Sequence, residues 1–202
     1  KLLNSMQKGA KRVEDIVQSL RTFSRLDEAE LKQVNLQEDI ESVLLVLKNR
    51  IVDRSDHLVT KLVCDLGKIP LIQCYSAKIN QVLLNIIDNS IDAVEENLLK
   101  KNITTGEILI QTSVVNDQEI AVRIIDNGIG IPENLITKIF DPFFTTKPVG
   151  KGTGLGLAIA HAVIVEQHHG SLTCRITEDQ KTEFTIVLPI VHRLYRSGIR
   201  SK

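Results

Sequence analysis

The stretch Lys147-Pro-Val-Gly150-Lys-Gly152-Thr-Gly154-Leu-Gly156-Leu157 constrains this chain most. Four of its residues are glycines in strict alternation, and an apolar helical pattern follows at once. Alternating glycines let successive backbone N–H groups approach one object with no Cβ in the way. The helix behind them points its positive end at the same place. A polyphosphate is the natural occupant. The spacing matches neither a Walker loop, since Thr145 and Gly152 stand where glycine and Ser/Thr are needed, nor a dinucleotide G-x-G-x-x-G. The reading is a long loop that closes over phosphates.

Bulk properties exclude several classes. The 25 basic and 25 acidic residues balance, and aromatics are 3% of the 202 residues, so neither a phosphate-backbone surface nor a base-stacking one is expected. No apolar run reaches the roughly 20 residues of a membrane helix. Cys64, Cys74 and Cys174 form no C-x-x-C pair and read as reduced, packed thiols in a cytoplasmic protein.

In chain order, residues 1 to 30 predict one amphipathic helix. Leu3, Met6, Ala10, Val13, Val17, Leu20 and Ser24 form a heptad seam that needs partner helices, so a homodimer through this helix is expected. Residues 31–34 read as a linker. Asn35, with Glu38 in a capping box, opens a helix with an apolar face of Leu36, Ile40, Val43, Leu44 and Leu47. Leu58–Val63 is strand-like, and Leu71–Cys74 is a short apolar segment. Ser76 caps a long helix from Ala77 to Lys100, buried through Ile79, Val82, Leu83, Ile86, Ile87, Ala93 and Val94. Asn85, Asn89, Asp92 and Gln81 lie on or beside one face of it.

Glu107–Val115 and Glu119–Ile125 predict a hairpin. Its second strand runs into Asp126-Asn127-Gly128-Ile129-Gly130-Ile131, where Asp126 is either the acceptor of a bound amine or the start of an ordinary Asx turn. Leu135–Phe140 reads as a short helix. Phe140, Phe143 and Phe144 are three of the five phenylalanines and suggest a latch for a lid. Leu155–His168 reads as a helix stopped by Gly170, followed by strands Ser171–Thr177 and Glu183–Leu188 and a basic tail, 192–202. His161, His168 and His169 read as surface or capping residues.

Four motifs then resemble those of sensor histidine kinases: Gln81-Val-Leu-Leu-Asn85-Ile-Ile-Asp-Asn89-Ser-Ile-Asp92 their asparagine box, Asp126–Gly130 the first glycine box, Phe140–Lys147 the phenylalanine box, and Gly152–Leu157 the second glycine box. The resemblance implies a two-layer α/β sandwich, the Bergerat ATP-binding fold, with a mixed sheet of about five strands against about three helices over residues 35–191. Residues 1–30 resemble the second helix of the family's dimerisation and phosphoacceptor hairpin.

By resemblance, the function is ATP-dependent transfer of a γ-phosphoryl group to a histidine, with relay to a response-regulator receiver domain. The cofactors are ATP and Mg²⁺. Asp126 would take the adenine amine, with Gly128, Gly130 and Ile131 beside the base. Asn89 and Asn85 would serve Mg²⁺, with Asp92 nearby. Lys147, Thr146, Gly152, Thr153, Gly154, Leu155, Gly156 and Leu157 would meet the phosphates, and Phe140 and Phe144 would anchor the lid. The catalytic set is Asn85, Asn89 and Lys147. A clamp-type ATPase of the same fold and a nucleotide-binding dimerisation module are the alternatives. No histidine here is followed by an acidic residue and then Asn or Thr before Pro, the family's acceptor motif, which is expected upstream of Lys1, so autophosphorylation of these 202 residues is not expected.

Overall fold

The computed structural model describes residues 30–51, 60–100, 102–148 and 152–192. The heptad helix of residues 1–29 and the tail beyond residue 192 lie outside the described residues.

The core is a five-stranded sheet in the order β2 (Thr60–Leu66), β4 (Gly106–Asn116), β5 (Glu119–Asp126), β7 (Thr182–Pro189), β6 (Ser171–Ile176). Only β2 and β4 run parallel; every other neighbouring pair is antiparallel. A separate antiparallel ribbon pairs β1 (Lys32–Val34) with β3 (Ile72–Cys74). Among the described residues, three α-helices accompany the sheet: α1 (Leu36–Ile51), α2 (Ser76–Leu99) and α3 (Gly156–Ala162).

Period-two alternation selects the packed face. Ile108 and Ile110 of β4, Ile120, Val122 and Ile124 of β5, and Phe184, Ile186 and Leu188 of β7 are buried. The helices cover them with Leu36, Ile40, Val43 and Leu47 of α1, the stripe Ile79–Val94 of α2, and Ile159 and Ala160 of α3. The row on β5 continues by two residues to Asp126, so the same pleat that buries three aliphatic side chains carries a carboxylate to the end of the packed face. This is the two-layer α/β sandwich expected from the sequence.

Several local expectations change. Lys32–Val34, expected within the linker, is a strand, and Val34 is buried; a three-residue ribbon is too short to leave a periodic signature. Asn35 caps α1, its Oδ1 accepting from Gln37 N at 3.2 Å, but Glu38 reaches the Asn35 side-chain amide rather than its backbone N–H. Ser76 is not a cap: its hydroxyl donates to Asp39 on α1, so it ties two helices together. The expected helix Leu135–Phe140 is a single 3₁₀ turn, Glu133–Leu135, with irregular turns after it. The helix expected over Leu155–His168 is α only to Ala162 and then widens to a π turn, Val163–Gln167. Of the three cysteines, Cys74 is buried and Cys174 half-buried, with burial pushing each thiol up to about 12, but Cys64 is exposed.

His168 is the clearest departure from a surface role. It is 1% exposed. Its Nε2 accepts the Tyr75 backbone N–H at 3.1 Å, and its Nδ1 lies 2.8 Å from the Val163 carbonyl, so Nδ1 carries the proton. Burial drives its pKa below the ordinary value, keeping the ring neutral as this pair of bonds requires. His192, expected as the first residue of the tail, is buried beside it, with Nε2 2.7 Å from the Gln167 carbonyl. The imidazole thus joins the last residue before α2 to the π turn after α3. Replacing it, His168→Leu, leaves the Tyr75 N–H without its acceptor, at about 1–3 kcal/mol, while the Val163 carbonyl keeps the His168 backbone N–H. The urea midpoint of His168→Leu should therefore fall clearly below wild type; an unchanged midpoint would show that the ring does not secure this joint.

Candidate nucleotide site

One cavity of about 380 Å³ collects most of the residues singled out in the sequence. Its wall is one edge of α2. Asn85, Asp88, Asn89, Asp92, Ala93 and Glu96 line it at helical spacing, while Ile86, Ile87, Ile91 and Val94 of the same helix are buried in the core. Asp126, Gly130, Ile131, Phe144, Thr146, Lys147, Gly152, Thr153, Gly154, Gly156 and Leu157 complete the predicted set. Gly128, Phe140 and Leu155 do not line the cavity. They stand behind it. Gly128 is pressed so close to α2 that a Cβ there would lie 2.6 Å from Ala93 Cβ, and Phe140 packs against the core and His161. Gln81 is also outside the lining.

The floor is Asp126, 2% exposed. Its Oδ1 accepts the Gly128 N–H at 2.9 Å, so the Asx turn and the inward-facing carboxylate are both present. Burial raises its pKa to about 6, against the lowering effect of the Gly128 N–H and the Ser90 hydroxyl. The glycine loop is clamped to α2 from behind: Ile129 N donates to Ala93 O, and the Asn97 amide donates to the carbonyls of Asn127 and Gly128.

The opposite end is built by the lid. Phe143 N donates to Gly154 O at 2.9 Å, which brings the two ends of the lid together. Gly154 sits at φ +66°, and a Cβ there would lie 2.4 Å from the Phe143 carbonyl carbon. Phe144 lines the cavity while Phe143 is 63% exposed, so the latch uses two of the three rings. Asn85 donates from its amide to Gly156 O at 3.0 Å, anchoring the start of α3. Lys147 reaches α2: its Nζ lies 2.8 Å from Asn89 Oδ1 and 2.5 Å from Asp92 Oδ2. Arg50 at the end of α1 pairs with Asp88, and with Asp92 at 2.6 Å. Burial pushes the Asp92 carboxyl up, but the bonds and charges of Lys147 and Arg50 outweigh it and hold its pKa below the usual range.

Sequence reasoning missed Ser90, Ala93, Thr182 and Phe184 in the lining, and Arg50 behind it. Ala93 follows from helical spacing, lying four residues after Asn89. Thr182 does not, because it faces Asp126 only through the β5–β7 register.

The family of histidine kinase-, DNA gyrase B- and HSP90-like ATPases matches residues 75–192, from the residue before α2 to the last described residue. The chain belongs to this ATPase family. The chain is 34% identical over 178 residues to the signal transduction histidine-protein kinase AtoS of Escherichia coli K12, covering 88% of this chain and 27% of AtoS. It spans little more than a quarter of that relative. The catalytic domain of the histidine kinase ThkA superposes with a TM-score of 0.67 at 28% identity, covering 80% of this chain and 99% of that one. ThkA in complex with the response regulator protein TrrA gives a TM-score of 0.73 at 27% identity, covering 94% of this chain and 51% of that one. Among the described residues of the ATPase domain, no helix is long and apolar enough to cross a membrane.

Two outcomes follow from this geometry. The folded protein holds the Asp126 proton more tightly than the unfolded chain does, so stability falls as pH rises from the ordinary 3.8 to about 6. Asp126→Asn keeps an oxygen for the Gly128 N–H without the buried charge. Thermal melts without nucleotide should show this variant more stable than wild type at pH 7.5, by up to about 3 kcal/mol at about 1.4 kcal/mol per pH unit, with the gain shrinking towards pH 4. A gain independent of pH would rule out desolvation as the cause. Gly154→Ala should lower stability and loosen the lid, since both φ and the Phe143 carbonyl oppose a side chain; hydrogen exchange of the Phe143 amide reports it.

Proposed function

We propose that this chain is the ATP-binding catalytic portion of a sensor histidine kinase, transferring the γ-phosphoryl group of ATP to a histidine outside these 202 residues. The observation that carries the proposal is the convergence of Asp126, Asn89 and Gly154, from three separate motifs, on one cavity. Asp126 supplies a carboxylate acceptor in a cavity also lined by Ile129, Ile131 and Phe184, and suits the exocyclic amine of adenine. Lys147 and the backbone N–H groups of Gly152–Gly156 meet the β- and γ-phosphates. Phe144 excludes water at the mouth.

The Asn89 oxygen fits a cation, because it already accepts from the Lys147 ammonium. Mg²⁺, when bound with the nucleotide, supplies charge neutralisation at the phosphate oxygens and needs only one or two protein oxygens. Asn89 would provide one, and Asn85 holds α3 against the same edge of α2. Catalysis by these residues is positioning and charge stabilisation. The phosphoryl group passes from ATP to an imidazole nitrogen, and ADP leaves.

The site residues, the domain division at residues 31–34, a cytoplasmic location and a homodimer through residues 1–30 belong to the same reading. A response-regulator receiver domain is the onward acceptor, in keeping with the ThkA–TrrA complex. A clamp-type ATPase is the second reading. It calls for a glutamate base on the asparagine-box helix, and position 85 is an asparagine whose amide is engaged with Gly156 O.

Asn89→Ala, with folding checked by circular dichroism, should abolish most Mg²⁺-ATP binding; an unaffected affinity would remove the assignment. Asp126→Asn should weaken ATP by about ten- to a hundredfold, from about 1.5–3 kcal/mol for a charge-assisted bond, and tripolyphosphate hardly at all. Equal losses for both ligands would exclude an adenine role. Phosphotransfer to an added acceptor helix then separates a kinase from a binding module.

A further inference from the structure

The cavity that takes a polyphosphate has an acidic wall. Asp88, Asp92, Glu95 and Glu96 all project from the exposed edge of α2, and three of the four line the cavity. Lys100, at the end of α2, pairs with Glu96 at 2.7 Å, and two cations reach the other three from outside the helix. Arg50, from the last turn of α1, pairs with Asp88, Asp92 and Glu95. Lys147, from the lid, lies on Asp92 at 2.5 Å and on Asn89 Oδ1 at 2.8 Å. Asp92 is therefore shared: one oxygen faces Arg50 and the other faces Lys147. Lys147 and Asp92 keep about a third of their side-chain surface exposed, so the contact is accessible to solvent and can exchange.

We infer that Asp92 is a positioning residue that, braced by Arg50, parks the Lys147 ammonium on the Asn89 oxygen, and that a divalent cation arriving with the nucleotide must displace the ammonium to use that oxygen. This rests on the nucleotide reading above and adds an exchange step to it. The chemistry follows from the donor set. Asn89 Oδ1 is a neutral oxygen that can serve an ammonium or a metal ion, and a fully engaged ammonium blocks it. Asp92 retains the lysine by charge. Arg50 keeps the carboxylate ionised and fixes its rotamer, so Asp92 does not follow the lysine when it leaves. Once displaced, the ammonium stays on the lid beside the phosphates, where it opposes their charge. No bond is made or broken; one cation replaces another.

The exchange has two separable signatures. A fluorescent ATP analogue at fixed concentration, titrated with Mg²⁺, gives the half-saturating Mg²⁺ concentration. Asp92→Asn should lower it by about fivefold, the factor equivalent to about 1 kcal/mol for a solvent-accessible ion pair. Glu95→Gln removes a charge from the same helix edge at a residue that neither lines the cavity nor touches Lys147, and should stay within about twofold. Hydrogen exchange of residues 143–148, measured without nucleotide, should quicken in Asp92→Asn while β4 and β5 stay protected. A raised Mg²⁺ midpoint in Asp92→Asn would show that the carboxylate serves the metal rather than the lysine, and would overturn the inference. So would unchanged lid exchange. Failure of the analogue to bind wild type would refute the nucleotide reading instead, and the exchange measurement would still decide the latch.

Discussion

The rest of the molecule depends on how α2 is seated. Its apolar stripe, from Ile79 to Val94, packs on the sheet and fixes the rotation of the helix about its axis. A shift of one residue would turn every side chain by about 100°. Because the stripe admits one rotation, Asn85, Asn89 and Asp92 have no freedom to face elsewhere, and the cavity wall follows from hydrophobic packing on the opposite side. Neighbouring elements are fitted to that edge. The glycine loop hydrogen-bonds to Ala93 O, the start of α3 to the Asn85 amide, and the lid to Asn89 and Asp92.

Against that wall stands a carboxylate placed where folding alone would not put one. Asp126 occupies the next position in a row of buried aliphatic side chains, with only the Gly128 N–H and the nearby Ser90 hydroxyl to compensate lost water. The raised proton affinity measures that conflict between packing and charge. Strained or poorly solvated groups gather at binding sites because a ligand can supply what the protein withholds. An amine donor would satisfy the remaining oxygen here.

Much of this was legible in the sequence, for physical reasons that differ by element. The faces of α1 and α2 and the β4–β5 hairpin follow from periodicity, since burial on one side imposes it. The cavity residues were found because glycines, amides and a lone acid interrupt that periodicity where packing would not. What escaped was set by partners distant along the chain. The β1 strand exists because Val34 pairs with Ile72, 38 residues away, and three residues carry no pattern of their own. His168 looked like a polar residue at a helix end, yet Tyr75 and the π turn enclose it. Ser76 had the chemistry of a cap, but Asp39 offered its hydroxyl a charged acceptor. Thr182 entered the lining through strand register, and Arg50 reached α2 from the far end of α1.

The backbone bond between Phe143 and Gly154 has one more consequence. It ties Phe143 to Gly154, so both ends of the stretch that joins them are fixed on the fold. Closing such a loop depends only logarithmically on its length, with each doubling costing about 0.6 kcal/mol. Residues can therefore be gained or lost between those feet with little effect on the sheet beneath. The stretch between Phe143 and Gly154 is the part of the protein most open to change in length, while its footing stays the same.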